Sequence, residues 1–209
     1  MTKGMKTTGM KRVLTVPVLI AACLGLSCSA HRQAGTGDVA FRLLWNGMSD
    51  LDLFVEDPAG GCIYFAQPES GSGGFLDVDC NAGTDQICDQ PIENVFWPPG
   101  TAPAGRYVFW VYTNSLLAAE TPLAYELQVL RGPRVAWRHQ GSIQRFGQSS
   151  GPLAYDFSRE RDQPPVASDR PLPDCGGWVR QRGNWQPGEV PAPVPPTVPG
   201  PSTAPSPCP

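Results

Sequence analysis

Asp50-Leu51-Asp52-Leu53-Phe54-Val55-Glu56 decides the fold class. Successive side chains of an extended chain point to opposite faces, so Leu51, Leu53 and Val55 share one side while Asp50, Asp52 and Glu56 share the other. That alternation predicts a half-buried β-strand. Just upstream, Val39, Phe41, Leu43 and Trp45 alternate in the same way. Just downstream, Asp57-Pro58-Ala59-Gly60-Gly61 has turn chemistry. Further strands are predicted at 62–66, at 75–79 after the flexible run Ser70-Gly71-Ser72-Gly73-Gly74, and at 106–113, 124–130, 135–139 and 153–157. In 106–113 both faces are apolar or aromatic, with Tyr107, Phe109 and Val111 on one and Val108, Trp110 and Tyr112 on the other. Such a strand belongs in the middle of a sheet. The pattern predicts an all-β chain, an antiparallel β-sandwich or jelly-roll-like domain of eight or nine short strands over 38–158.

The two ends read differently. Lys11-Arg12, the apolar run from Val13 to Ile20 and the small pair Ala21-Ala22 form an export signal over 1–22. Continued to Leu26 the run is still short of the ~20 residues a spanning helix needs, and Pro17 interrupts it. Ile20-Ala21-Ala22-Cys23 resembles a bacterial lipobox, which predicts lipidation of Cys23. The rival, Cys28, has Gly25 where the box wants Leu, Ile or Val. Taking Cys23 also leaves an even number of cysteines. Residues 23–37 then read as a tether in the cell envelope, periplasm-facing or surface-exposed. At the other end, residues 187–209 hold ten prolines and read as a disordered, extended tail. Between sandwich and tail, 159–186 contains Cys175, Trp178 and Trp185 and is expected to dock on the sandwich.

Composition excludes one class of partner. The net charge is −3, but four of the 16 basic residues lie in the first twelve positions. Without residues 1–22 the balance is 12 basic against 19 acidic, a net of −7. Such a chain has no electrostatic footprint for nucleic acid.

The acids are the notable constellation. Asp50 and Asp52 share a strand face, and Asp77 and Asp79 are expected to share another opposite Leu76 and Val78. Asn81, Asp85, Asp89 and Glu93 follow. Converging carboxylates repel unless a cation sits among them, and hard oxygen donors in that number suit Ca²⁺. The expected ligands are therefore Asp50, Asp52, Asp77, Asp79, Asn81 and Glu93, with a solvated acidic face as the alternative. Asp77-x-Asp79-x-Asn81 starts like an EF-hand loop, but Ala82 and Cys88 occupy the positions of its Gly and its final Glu. Acids alternating along a sheet supply no cleft for glycoside hydrolysis. No Gly-x-Ser-x-Gly turn marks a nucleophile beside His139. The chain is expected not to be an enzyme.

Cys62, Cys80, Cys88 and Cys175 lack zinc spacing and read as disulfide candidates in an exported chain. Cys80–Cys88 with Cys62–Cys175 is one pairing, and Cys62–Cys80 is open beside it. The expected role is an anchored binding or adhesion module, partnered by a protein or glycan. The alternative is a carbohydrate-binding module that uses Trp97, Trp178 or Trp185.

An ordered series of short motifs carries a resemblance. It comprises Trp45, Ser49 to Val55 with Asp57-Pro58-x-Gly60, Ser72 to Asp79, Pro91 to Trp97, and Gly105-x-Tyr107. Over residues 38–131 this resembles the YfaP-type domain, an uncharacterised β-sandwich module of bacterial secreted and surface proteins. The Cys80–Cys88 segment interrupts that pattern. The resemblance implies a sandwich with acid-bound calcium and implies no reaction.

Overall fold

The computed structural model describes Met1, residues 34–83 and residues 86–177. The export segment, Cys23 and the Pro-rich tail lie outside the described residues. Every element falls in the unit Arg32–Pro209. Two five-stranded antiparallel sheets pack face to face, so the all-β sandwich is confirmed. The first sheet has the order β4 (Phe75–Val78), β5 (Ile92–Trp97), β1 (Val39–Trp45), β7 (Leu123–Arg131), β8 (Arg134–Ile143). The second runs β10 (Val166–Ala167), β9 (Leu153–Phe157), β6 (Gly105–Ser115), β2 (Asp50–Glu56), β3 (Cys62–Ile63).

There are thus ten described strands rather than eight or nine, and two of them, β5 and β10, are additions to the sequence reading. The strand predicted at 62–66 is only Cys62–Ile63, because a tight turn pairing Tyr64 with Gln67 ends it.

The alternating residues meet between the sheets. Phe41 is the hub, with the rings of Phe109, Tyr107, Trp97 and Tyr155 at 4.8, 5.4, 6.2 and 6.2 Å between centroids. Leu51, Leu53 and Val55 enter the same core. As its two apolar faces required, β6 is central to its sheet. Its outer residues Val108, Trp110 and Tyr112 join Phe54 and Tyr64 in a second cluster, which Leu172 and Cys175 cover from the C-terminal side. Phe54 stacks between Tyr64 at 4.7 Å and Trp110 at 5.1 Å. The Cys62–Cys175 disulfide fastens that cover.

Tyr107, early in β6, donates its hydroxyl to Pro103 O at 2.8 Å. Bonding a buried phenol to the backbone four residues upstream fixes the corner where the chain enters β6, the tyrosine-corner device of other sandwiches. Residues 34–37, the end of the expected tether, lie along the first sheet. Gly35 N donates to Asp77 at 2.5 Å, and its carbonyl accepts from Asn94 at 3.1 Å. A Cβ on Gly35 would meet the Phe96 ring at 2.3 Å, so this approach requires glycine.

Strand direction sorts the connections into two ends. The β1–β2, β4–β5, β6–β7 and β8–β9 connections share one end, and the β2–β3, β5–β6 and β7–β8 connections share the other.

Candidate metal centre

Three carboxylates converge beneath the first of those ends. Asp50 and Asp52 open β2, and Glu93 opens β5 on the opposite sheet. One oxygen from each lies within 4.8 Å of the other two. Exposure is 5% for Asp50, 2% for Asp52 and 1% for Glu93, so the face expected to meet water is closed.

Glu93 gets there because alternate residues of β5 point inward. Val95 and Trp97 belong to the core, and Glu93 continues their series across from Leu43. Its Oε2 accepts Leu53 N at 2.5 Å, on a stretch of β2 that β3 does not reach. Asp50 Oδ2 accepts Asn114 Nδ2 at 2.9 Å. Asp50 Oδ1, Asp52 Oδ2 and Glu93 Oε1 are buried with no hydrogen bond among the described residues. Asp79 stands beside them and raises the pKa of all three. Among the described residues no arginine or lysine forms an ion pair with the three.

The electrostatics follow. Burial pushes the Asp50 carboxyl up to about 6, with Asp79 adding to the rise and Asn114 opposing it. Burial also drives Asp52 well above the ordinary carboxylate range, helped by Asp50 and Asp79. Glu93 rises for the same first reason and then through Asp52 and Asp79, against the Leu53 N–H. Buried carboxylates without counter-charge are costly unless they are protonated or bind a cation.

Two oxygens bound to one Ca²⁺ at ~2.3–2.6 Å can stand at most about 5 Å apart, and the observed spread fits that limit. The donor set is all hard oxygen, which suits Ca²⁺ better than zinc. Three carboxylates also leave part of the six to eight positions that Ca²⁺ takes for other oxygens.

Not every expected ligand is here. A bulge between Leu76 and Val78 makes Asp77 the extra residue against β5 and breaks the alternation that would have aligned it with Asp79. Asp77 turns instead to Gly35 N and to Asn94 Nδ2, the latter at 2.7 Å. Asn81 has its amide engaged elsewhere, donating to Gly47 O at 3.2 Å and Ser49 O at 3.1 Å and accepting from Cys88 N at 3.0 Å. It therefore ties the cysteine loop to the β1–β2 turn. The left-handed backbone at Asn81, φ 65°, is one that Asn tolerates better than most residues.

The same turn is held by Trp45 Nε1 on Ser49 O at 2.8 Å, and by Glu120, which accepts from Met48 N and Ser49 N at 2.8 and 2.9 Å. Nothing in the spacing of Glu120 or Asn114 signalled these roles. Asp89 is exposed, and Asp85 lies outside the described residues.

Both preferred disulfides form, Cys80–Cys88 and Cys62–Cys175, and the open alternative Cys62–Cys80 does not. They fit an oxidising, non-cytoplasmic compartment. Trp97 is wholly buried, its Nε1 donating to Ser72 Oγ at 3.0 Å, so it has no face for a sugar. Trp178 and Trp185 lie outside the described residues. His139 is half-buried and stacks flat on Trp137 at 5.6 Å, and burial lowers its pKa. Among the described residues no helix is long and apolar enough to cross a membrane.

No family model, characterised protein or solved structure matches the chain.

Proposed function

We propose that this chain is a non-catalytic binding module anchored to the cell envelope, with a Ca²⁺ ion on Asp50, Asp52 and Glu93 ordering one end of its sandwich. The observation that carries the reading is three buried carboxylates that bring one oxygen each within 4.8 Å of the others, and each of which has a buried oxygen with no hydrogen-bond partner among the described residues. Asp79 is the fourth acid within influence. The motif series resembling the YfaP-type domain contains these same acids, which supports the reading. The ion's chemistry here is structural. It neutralises charge that burial has made costly and cross-links two sheets through their strand ends.

Titration calorimetry on the purified protein tests it. One Ca²⁺ per chain is expected, with Asp52→Asn and Glu93→Gln each weakening binding by at least about tenfold, a loss of ~1.4 kcal/mol. Undiminished binding in both variants would place the ion elsewhere.

The anchor rests on Ile20-Ala21-Ala22-Cys23, and the disulfides agree with export. Replacing Cys23 with Ser should abolish palmitate labelling and shift the protein out of the lipidated membrane pool. If Cys28→Ser does so instead, the cleavage site lies five residues downstream.

A further inference from the structure

The end of the sandwich above the acid cluster has a second property. Four connections meet there, and each carries one exposed large apolar side chain. They are Met48 on β1–β2, Ile87 on β4–β5, Leu117 on β6–β7 and Phe146 on β8–β9, exposed by 57, 45, 42 and 65%. Apart from Met1, the other large exposed apolar residue among those described is Val166 on β10, so the opposite end has none. Isolated exposed apolar residues need no explanation, but their collection at one end does.

Hydrogen bonds join the four tips into one rim. Cys88 N, next to Ile87, bonds Asn81, whose amide reaches Gly47 beside Met48. Leu117 N bonds Ser49 Oγ at 3.0 Å. Gly147 N, next to Phe146, bonds Thr113 O at 3.1 Å, and Thr113 lies opposite Leu51 on β2. Asp50 and Asp52 sit on the same stretch of β2.

We infer that this rim docks on a phospholipid bilayer when the cation site beneath it is filled. Single exposed apolar side chains on separate connections at one end are of the kind that can enter the headgroup–acyl boundary. The chain also places a bilayer within reach. Ten residues separate Cys23 from Ala34, and at ~3.5 Å each they span at most about 35 Å, so the lipid proposed on Cys23 would hold the domain within that distance of a bilayer. The cation condition is positional, because Asp50 and Asp52 lie on the stretch of β2 to which the Leu117 and Phe146 tips are joined through Ser49 and Thr113, so an ion there would fix the rim. The inference rests on the calcium reading for its cation dependence and on the exposed rim for its contact.

The test is sedimentation with phosphatidylethanolamine–phosphatidylglycerol vesicles. It uses the mature chain from residue 24 onward, exported without an acylated cysteine and keeping every described strand. Binding is expected in calcium and not in chelator. The double substitution Met48→Ser with Phe146→Ser, both at exposed tips, should weaken it by about tenfold or more at unchanged melting temperature. Absence of vesicle binding in calcium would overturn the inference. So would binding that ignores the double substitution, or binding that is equal in chelator. Calorimetry on the same sample separates the two readings, since a calcium isotherm without vesicle binding sinks the docking and spares the metal site.

Discussion

In millimolar calcium the protein should melt well above its temperature in chelator. An ion that binds only the folded state adds RT ln(1 + [L]/Kd), about 2.7 kcal/mol at a hundredfold excess. For a domain of this size that is roughly 5–10 °C. The substitution Glu93→Gln gives the sharper result, because its effect changes sign. In chelator near neutral pH it replaces a carboxyl whose ionisation burial, Asp52 and Asp79 disfavour by a neutral amide that keeps an acceptor for Leu53 N, so the variant should melt at or above the parent. In calcium it loses a ligand and should melt below it.

Acidity follows the same logic. The folded pKa values of Asp50, Asp52 and Glu93 are raised, so the stability that belongs to their neutral forms is complete below the ordinary carboxylate range and is lost as pH rises. For Asp50 the loss centres on about 6, and for the other two it comes higher. Metal-free protein should therefore become less stable between pH ~4 and ~7, the window in which the calcium gain grows as protons leave its ligands. Melting curves that coincide with and without calcium across that range would dispose of the site.

The second large effect concerns the covalent cover. Cys62 and Cys175 are 113 residues apart, against 8 for Cys80 and Cys88. Chain-entropy arguments give about 4–5 kcal/mol for the long loop and roughly 2–3 kcal/mol for the short one. Replacing Cys62 and Cys175 by Ser should cost the larger amount, and it also frees Leu172 to leave the outer cluster of Phe54, Tyr64 and Trp110. Urea midpoints for the two double variants should therefore rank in that order. Equal midpoints would mean that the C-terminal cover holds without its bridge.

Much of the fold was legible because the chain alternates honestly where both neighbours are ordinary strands. The runs at 39–45, 51–55 and 106–113 bury the side that their pattern announced. β5 escaped notice for a physical reason. Its inward series begins with a carboxylate, Glu93, while its outward residues Ile92 and Phe96 are apolar, so the polarity of the strand is inverted at one end. Phe96 tolerates this because Phe75 and the Gly35 backbone cover it.

The acids were legible as a group and not as a geometry. Period two assigns Asp50 and Asp52 to a common face, yet it says nothing of Asn114 on β6 and Glu93 on the opposite sheet, which meet them there. Asp77 was misplaced because a bulge leaves no mark in Leu76-Asp77-Val78. Asn81 was identified by its position in a ligand-like series, although its amide bonds three backbone groups of the neighbouring segments.

The long disulfide also governs how this molecule answers a mechanical load. Pulled from its two ends, the chain cannot pay out the segment between Cys62 and Cys175, which holds most of both sheets. Only residues 39–62 can unravel against an intact bridge, about 80 Å of slack at ~3.5 Å per residue. The first of them form β1, which is hydrogen-bonded on both sides, to β5 and β7, so freeing it breaks two ladders rather than one. A tension that unthreads β1 would therefore leave a short leash carrying a still cross-linked remnant, with the release capped by a covalent stop.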